Sequence, residues 1–159
     1  MELERIRKKV LAGKNIEEIV EKFDWKDFEE VSKKIFEENN FKVRKNFRFK
    51  TSRRYEIDVL ALGSRYIFCV DCKQWRGGRN KKSGLKLAVK KQENRVKEFE
   101  KFIGKNLIAR KMLRIDSKKQ KLHPLIVTLF QEDLLKENET FVIPLWKLNS
   151  FLVEAEKYL

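Results

Sequence analysis

The chain has 159 residues, with 38 Lys and Arg against 24 Asp and Glu, a formal net charge of +14. Hydrophobic residues make up 42%, enough for one folded core. Two cysteines exclude a disulfide scaffold, and a single histidine, His123, excludes a site built on a histidine pair, such as a zinc nuclease. No run approaches the ~18 apolar residues of a membrane span, and Met1-Glu2-Leu3-Glu4-Arg5 has no signal-peptide character. The expectation is a soluble, intracellular, basic domain that seeks an anionic partner, nucleic acid first.

Along the chain, Leu3, Ile6 and Val10 have helical spacing that Gly13 ends. Asn15 can cap a second short helix carrying Ile16, Ile19, Val20 and Phe23, with Glu18 at its N3 position. Residues 1–23 therefore read as a helical appendage, and 24–159 as the main domain. Asp24, with Asp27 three residues on, predicts a helix start, and Phe28, Val31, Ile35 and Phe36 give that helix one core face before Asn39-Asn40 stops it. Phe41, Val43, Phe47 and Phe49 alternate among basic residues as a half-exposed strand bent near Lys45-Asn46. Strands are predicted over Tyr55–Leu62 and Tyr66–Gln74, joined by a tight turn at Gly63-Ser64. Residues 76–84 read as a mobile basic loop and Leu85–Ile103 as a long helix with Ala88, Gln92, Val96, Phe99 and Ile103 inward. Leu125–Phe130 reads as a strand buried on both faces, Thr140–Ile143 as a last short strand, and Leu145–Tyr158 as a closing helix. The order α-β-β-β-α-β-β-α is that of a mixed α/β sheet flanked by helices.

Asp58, Asp71 and Lys73 sit inside strands that are otherwise apolar. A buried, isolated carboxylate is costly, and two close together are worse. A divalent cation resolves the conflict, because Mg²⁺ takes oxygen ligands from one or two carboxylates plus water. Asp71 and Lys73, two apart on a strand, share a face, as do Glu56 and Asp58. Adjacent strands would let Asp58 converge on the Asp71–Lys73 pair. Two carboxylates on a metal beside a lysine suit phosphodiester hydrolysis: a bound metal polarises the phosphate and acidifies its water. The lysine then orients or deprotonates that water, or stabilises the pentavalent phosphate. The plainer alternative is a buried salt bridge of Lys73 with Asp71 or Asp58.

Asp58 followed by Asp71-Cys72-Lys73 on the next strand resembles the PD-(D/E)xK nuclease superfamily, most of all archaeal Holliday junction resolvases and Mrr-type restriction endonucleases. Phe28-Glu29-Glu30-Val31 is similar to the helix glutamate motif of those families, with Glu29 at the matching position. Helical geometry agrees, since Glu29 lies about 100° from the apolar stripe centre and Glu30 further towards solvent. Asp71-Cys72-Lys73-Gln74-Trp75 resembles the C-K-x-W signature of some Mrr-like proteins. Gln92 resembles a helix glutamine of that group and is expected to support the site or contact DNA. The superfamily's leading proline is absent, since Ile57 precedes Asp58, and Asp stands at position 71 where Glu is commoner. The resemblance covers roughly residues 24–130. It implies a restriction-endonuclease-like fold with Mg²⁺, replaceable by Mn²⁺, on Asp58, Asp71 and Glu29, and Lys73 as the fourth catalytic residue.

No acidic residue interrupts the basic residues between Glu38 and Glu56, nor those from Lys73 to Glu93. Arg44, Arg48, Lys50, Arg53, Arg54, Arg76, Arg79, Lys81 and Lys82, with Gln92, are the residues expected to meet DNA, since phosphate contacts set affinity without sequence readout. Cys69 and Cys72 form C-x-x-C, but three residues apart on a strand they face opposite ways, so they read as core thiols. The sequence thus points to a Mg²⁺-dependent DNA endonuclease, resolvase-like or Mrr-like, acting on DNA as a homodimer away from membranes in the cytoplasm and nucleoid. The alternative is a non-cleaving nucleic-acid-binding module that keeps the same fold.

Overall fold

The computed structural model describes residues 3–159 apart from 16–17, 20–21, 23, 75–80, 130–131 and 133–134. Its elements are α1 (Leu3–Leu11), α2 (Trp25–Glu38), β1 (Lys42–Lys50), β2 (Arg54–Leu62), β3 (Tyr66–Lys73), α3 (Lys81–Lys105), α4 (Leu107–Leu113), β4 (Lys121–Thr128), β5 (Lys136–Glu137), β6 (Thr140–Pro144) and α5 (Leu145–Val153). The six described strands form one sheet in the order β1-β2-β3-β4-β6-β5. The β1-β2-β3 pairs are antiparallel, β3-β4-β6 parallel, and β5 antiparallel to β6. This is the mixed, helix-flanked α/β sheet read from the sequence.

Local signals explain the element that carries Glu29. Asp24 accepts a 2.7 Å hydrogen bond from the Asp27 backbone N–H, and Asp27 returns the favour at 3.4 Å, a reciprocal capping box at the start of α2. Asn39 closes the helix, and Asn40 takes the left-handed conformation (φ 65°) that lets the Phe41 N–H reach the Phe36 carbonyl. The inward face of α2 carries Phe28, Val31, Ile35 and Phe36, and also the buried polar residues Glu29 and Ser32.

The two sheet faces hold separate cores. On one face, Phe28, Val31, Ile35 and Phe36 of α2 pack with Leu148, Phe151 and Leu152 of α5 onto Val59, Ala61, Phe68, Val70, Cys72 and Val127. On the other, Val96, Phe99 and Ile103 of α3 pack with Leu113 onto Ile57, Leu60, Leu62, Ile67 and Cys69. The first turns of α3 cover the far side of the sheet, where Leu85, Ala88 and Val89 meet Ile126 and Val142. Cys69 and Cys72 are fully buried in opposite cores, as strand alternation requires, and burial pushes both thiols up, away from redox or metal chemistry. Ile19 is buried in the α2-side core and Ile6 packs against it, so the described part of residues 1–23 lies on the main body. The other residues of the expected second helix, Ile16, Val20 and Phe23, fall outside the described set.

Several boundaries differ from the sequence reading. Helix α3 begins at Lys81, so residues 81–84 are helical rather than loop. Residues 107–113 form α4, which the sequence reading left without structure. It is capped by the Asn106 side chain, which accepts from the Ala109 N–H at 2.9 Å. Strand β4 starts at Lys121 and includes His123 and Pro124. The closing helix stops at Val153, followed by a 3₁₀ turn over Ala155–Lys157.

The β2–β3 turn is also shifted. The Gly63 N–H donates to the Tyr66 carbonyl at 2.9 Å, which centres the turn on Ser64-Arg65 rather than Gly63-Ser64. A side chain at Gly63 would meet the Phe41 ring at 2.5 Å, so only glycine fits there. The shift sets the register Leu62↔Ile67 to Val59↔Val70. Continued by one position, that register stands Asp58 opposite Asp71, where a turn centred one residue earlier would have set it against Cys69.

Candidate active site

Asp58 lies where strand alternation fails. Ile57 belongs to the α3-side core and Val59 to the α2-side core, although residues two apart on a regular strand share a face. The partner strand changes sides at the same level: Val43 packs with the α2-side core and Phe47 with the α3-side core. Asn46, across from Asp58 in the β1–β2 register, is left-handed (φ 51°) and makes the change possible. The bend expected at Lys45-Asn46 is this reversal. The β2–β3 ladder stops at Val59↔Val70, and the Asp58 carboxylate takes over, accepting the Cys72 backbone N–H at 2.9 Å.

Asp71 is 4% exposed and faces α3. Lys73 Nζ lies 3.0 Å from its Oδ2, and an Arg95 guanidinium nitrogen 3.3 Å from its Oδ1. Arg95 also donates to the Gln92 side-chain oxygen, and the Gln92 amide donates to the Cys69 carbonyl at 2.6 Å. Gln92 is fully buried, with its amide turned to the β3 backbone. The polar trio Asp71, Gln92 and Arg95 interrupts the α3 interface between its two apolar halves.

Glu29 is 5% exposed on α2. Burial holds its carboxyl above the usual range, against a hydrogen bond from the Trp25 side chain and the charge of Lys45. Its own charge reaches Asp58. Burial first, then Asp71 and Glu29, push the Asp58 carboxyl up to about 6, while the Cys72 N–H and Arg95 pull it down. Glu30 instead sits at the surface, 3.0 Å from Lys45. Asp58 and Asp71 are thus brought together with Lys73, and Glu29 is close enough to act on them through its field. Among the described residues no group of three or more His, Cys, Asp and Glu side chains is arranged to hold a metal ion. Asp58 and Asp71 could offer oxygen donors, and two carboxylates are a number that fits a hard cation such as Mg²⁺, which fills its remaining positions with water or phosphate.

Arg95 is the member of this cluster that the sequence reading missed. It lies three residues from Gln92 on the same helix, a spacing that puts both on one face, and that was the available signal. The residues expected from the sequence to meet DNA divide. Arg44, Arg48, Lys50, Arg53, Arg54 and Lys82 are exposed, although Arg48 is paired with Glu56 at 2.7 Å and Arg53 lies 4.9 Å over the Tyr55 ring. Arg76, Arg79 and Trp75, and the Lys81 side chain, fall outside the described residues.

A six-stranded mixed sheet between helices, with two aspartates and a lysine at the open end of its central hairpin, is consistent with a restriction-endonuclease-like domain. Residues 22–129 match the nuclease-related domain (NERD) family, and the chain belongs to that family. An uncharacterized protein of Archaeoglobus fulgidus is 28% identical over 136 residues, spanning 85% of this chain and 94% of its own length. Membership of a nuclease-related family implies a nucleic-acid substrate. No described helix is long and apolar enough to cross a membrane.

Proposed function

We propose that this protein is a Mg²⁺-dependent endodeoxyribonuclease of the PD-(D/E)xK type. The observation that carries the reading is the convergence of Asp58 and Asp71 at the end of the β2–β3 ladder, with Lys73 3.0 Å from Asp71. Asp58 and Asp71 would hold Mg²⁺, or Mn²⁺ in its place. When bound, the cation supplies a water of lowered pKa and a Lewis acid for the phosphate. Lys73, held as a cation beside Asp71, would orient that water or stabilise the phosphate as negative charge builds. Glu29, buried beside Asp58 without joining a three-residue ligand group, tunes the site or completes it through water.

Exposed Arg44, Lys50, Arg53 and Arg54 on the β1–β2 arm support tracking of the DNA backbone. Holliday-junction-resolvase-like or Mrr-like cutting by a homodimer in the cytoplasm, associated with the nucleoid, is the preferred form, since two sites then cut two strands. A second reading, a binding module that no longer cuts, is favoured by one feature: both Asp71 oxygens are engaged by Lys73 and Arg95.

Cleavage assays on linear, flapped and four-way-junction DNA with Mg²⁺, Mn²⁺ or EDTA decide between them. Metal-dependent cutting that disappears in Asp58→Ala, Asp71→Ala and Lys73→Ala, each still folded by a cooperative thermal melt, supports the nuclease. Tight binding without cutting in any metal supports the module. Cutting that persists in Asp58→Ala or Asp71→Ala overturns the metal-site assignment. For binding, affinity should fall by ~10³ or more between roughly 50 and 200 mM salt if about six phosphates are neutralised. The triple replacement of Arg44, Arg48 and Arg53 should flatten that slope.

A further inference from the structure

Asp71 meets two cations, and they are not equivalent. Lys73 comes from the same strand, two residues on, and stays beside the carboxylate as long as the strand does. Arg95 arrives from α3, touches Asp71 through a single nitrogen at 3.3 Å, and is long for a charge-assisted hydrogen bond. Its side chain is 24% exposed, against 6% for that of Asp71, so solvent reaches it. Its other bond goes to Gln92, which is fully buried and anchored to the Cys69 carbonyl. One guanidinium nitrogen, Nη1, makes both contacts, so Arg95 is loosely held at the carboxylate and more closely held at the Gln92 oxygen, with its other nitrogens left for a further partner.

We propose that Arg95 is a displaceable counter-charge: it occupies Asp71 until a divalent cation takes that oxygen, and the released guanidinium, tethered by Gln92, then binds a DNA phosphate. This inference rests on the metal reading above. An opposite charge within contact range alters a carboxylate's affinity for a competing cation by roughly tenfold or more. A phosphate offers Arg95 an alternative partner, so DNA and metal should each favour the binding of the other.

The test is calorimetry with Mn²⁺ on the full chain, comparing wild type, Arg95→Met and Arg95→Gln, each checked by a thermal melt. Two neutral replacements are used because either alone could perturb folding. Both should bind Mn²⁺ about tenfold more tightly than wild type, a gain that loss of a purely structural contact would not give. A short duplex with uncleavable phosphorothioate linkages should raise Mn²⁺ affinity more in wild type than in the variants. Mn²⁺ binding in wild type with equal or weaker binding in the folded variants overturns the role of Arg95 and leaves the metal reading standing. Equal gains from the duplex overturn the phosphate step. No Mn²⁺ binding in any of the proteins overturns both readings, whereas binding in the variants alone establishes the counter-charge in its strongest form.

Discussion

The ends of β2 and β3 solve the same problem in opposite ways. Both place an aspartate at the level where the two strands part. On β3 the carboxylate is nearly inaccessible and is neutralised by Lys73 and Arg95. On β2 it is more open, yet among the described residues no Lys or Arg forms an ion pair with it, and a backbone N–H is its hydrogen-bond partner. The lesson is that burial does not rank the two. Asp58, the more exposed of the two, has no such ion pair to offset its burial, and its carboxyl rises to about 6, through that burial first and then through the charges of Asp71 and Glu29. An incoming cation gains most by sitting where carboxylate charge is uncompensated.

The largest expected effect tests this contrast through pH, in EDTA. The folded Asp58 holds its proton to higher pH than the unfolded chain does, so stability is present below about pH 4 and is lost as pH rises towards about 6. A rise of this size corresponds to about 2–3 kcal/mol. Glu29, also raised, adds in the same direction. Urea titrations across this range should show the decline in wild type and a much flatter profile in Asp58→Asn. An unchanged profile in that variant would show that Asp58 is not the strained carboxylate.

Next in size is Gln92→Leu. It leaves the Cys69 carbonyl unpaired in the core and unties Arg95, and should cost about 1–3 kcal/mol in a denaturant melt. Asp71→Asn is expected to destabilise by about 1 kcal/mol, since Lys73 and Arg95 are left facing each other but are each partly open to solvent. Asp58→Asn and Asp71→Asn should thus move stability at neutral pH in opposite directions. The two shifting together would remove the distinction drawn above. The smallest effect belongs to Glu30→Ala, which breaks surface pairs with Lys45 and Lys33 and should change stability by about 0–1 kcal/mol with no loss of activity.

What the sequence made legible follows from which signals are local. The α2 capping box, the Asn39-Asn40 stop and the opposed cysteines rest on short-range rules and read directly from the residues. So did Asp58, Asp71 and Lys73 as polar residues in apolar strands, whereas Glu29 came from the resemblance of Phe28-Glu29-Glu30-Val31 to a family motif. The turn centre was off by one because Gly63 is required by its approach to Phe41, a contact invisible along the chain. Arg95 escaped because one arginine on a basic helix looks like any other until the sheet places Asp71 beside it. Helix α4 escaped because Leu107, Ile108 and Met112 remain exposed, so no buried stripe announces it.

The reversal at Asn46 and Asp58 has a mechanical meaning as well. Below it the β1–β2 ribbon is sewn to one layer of helices, and above it to the other, so the ribbon works as a stitch through the sheet. The two layers cannot peel apart without drawing the thread at Asp58. Amides flanking that position, among them Val59 and Cys72, should be among the last to exchange with deuterated water. The two aspartates are thus seated at that knot.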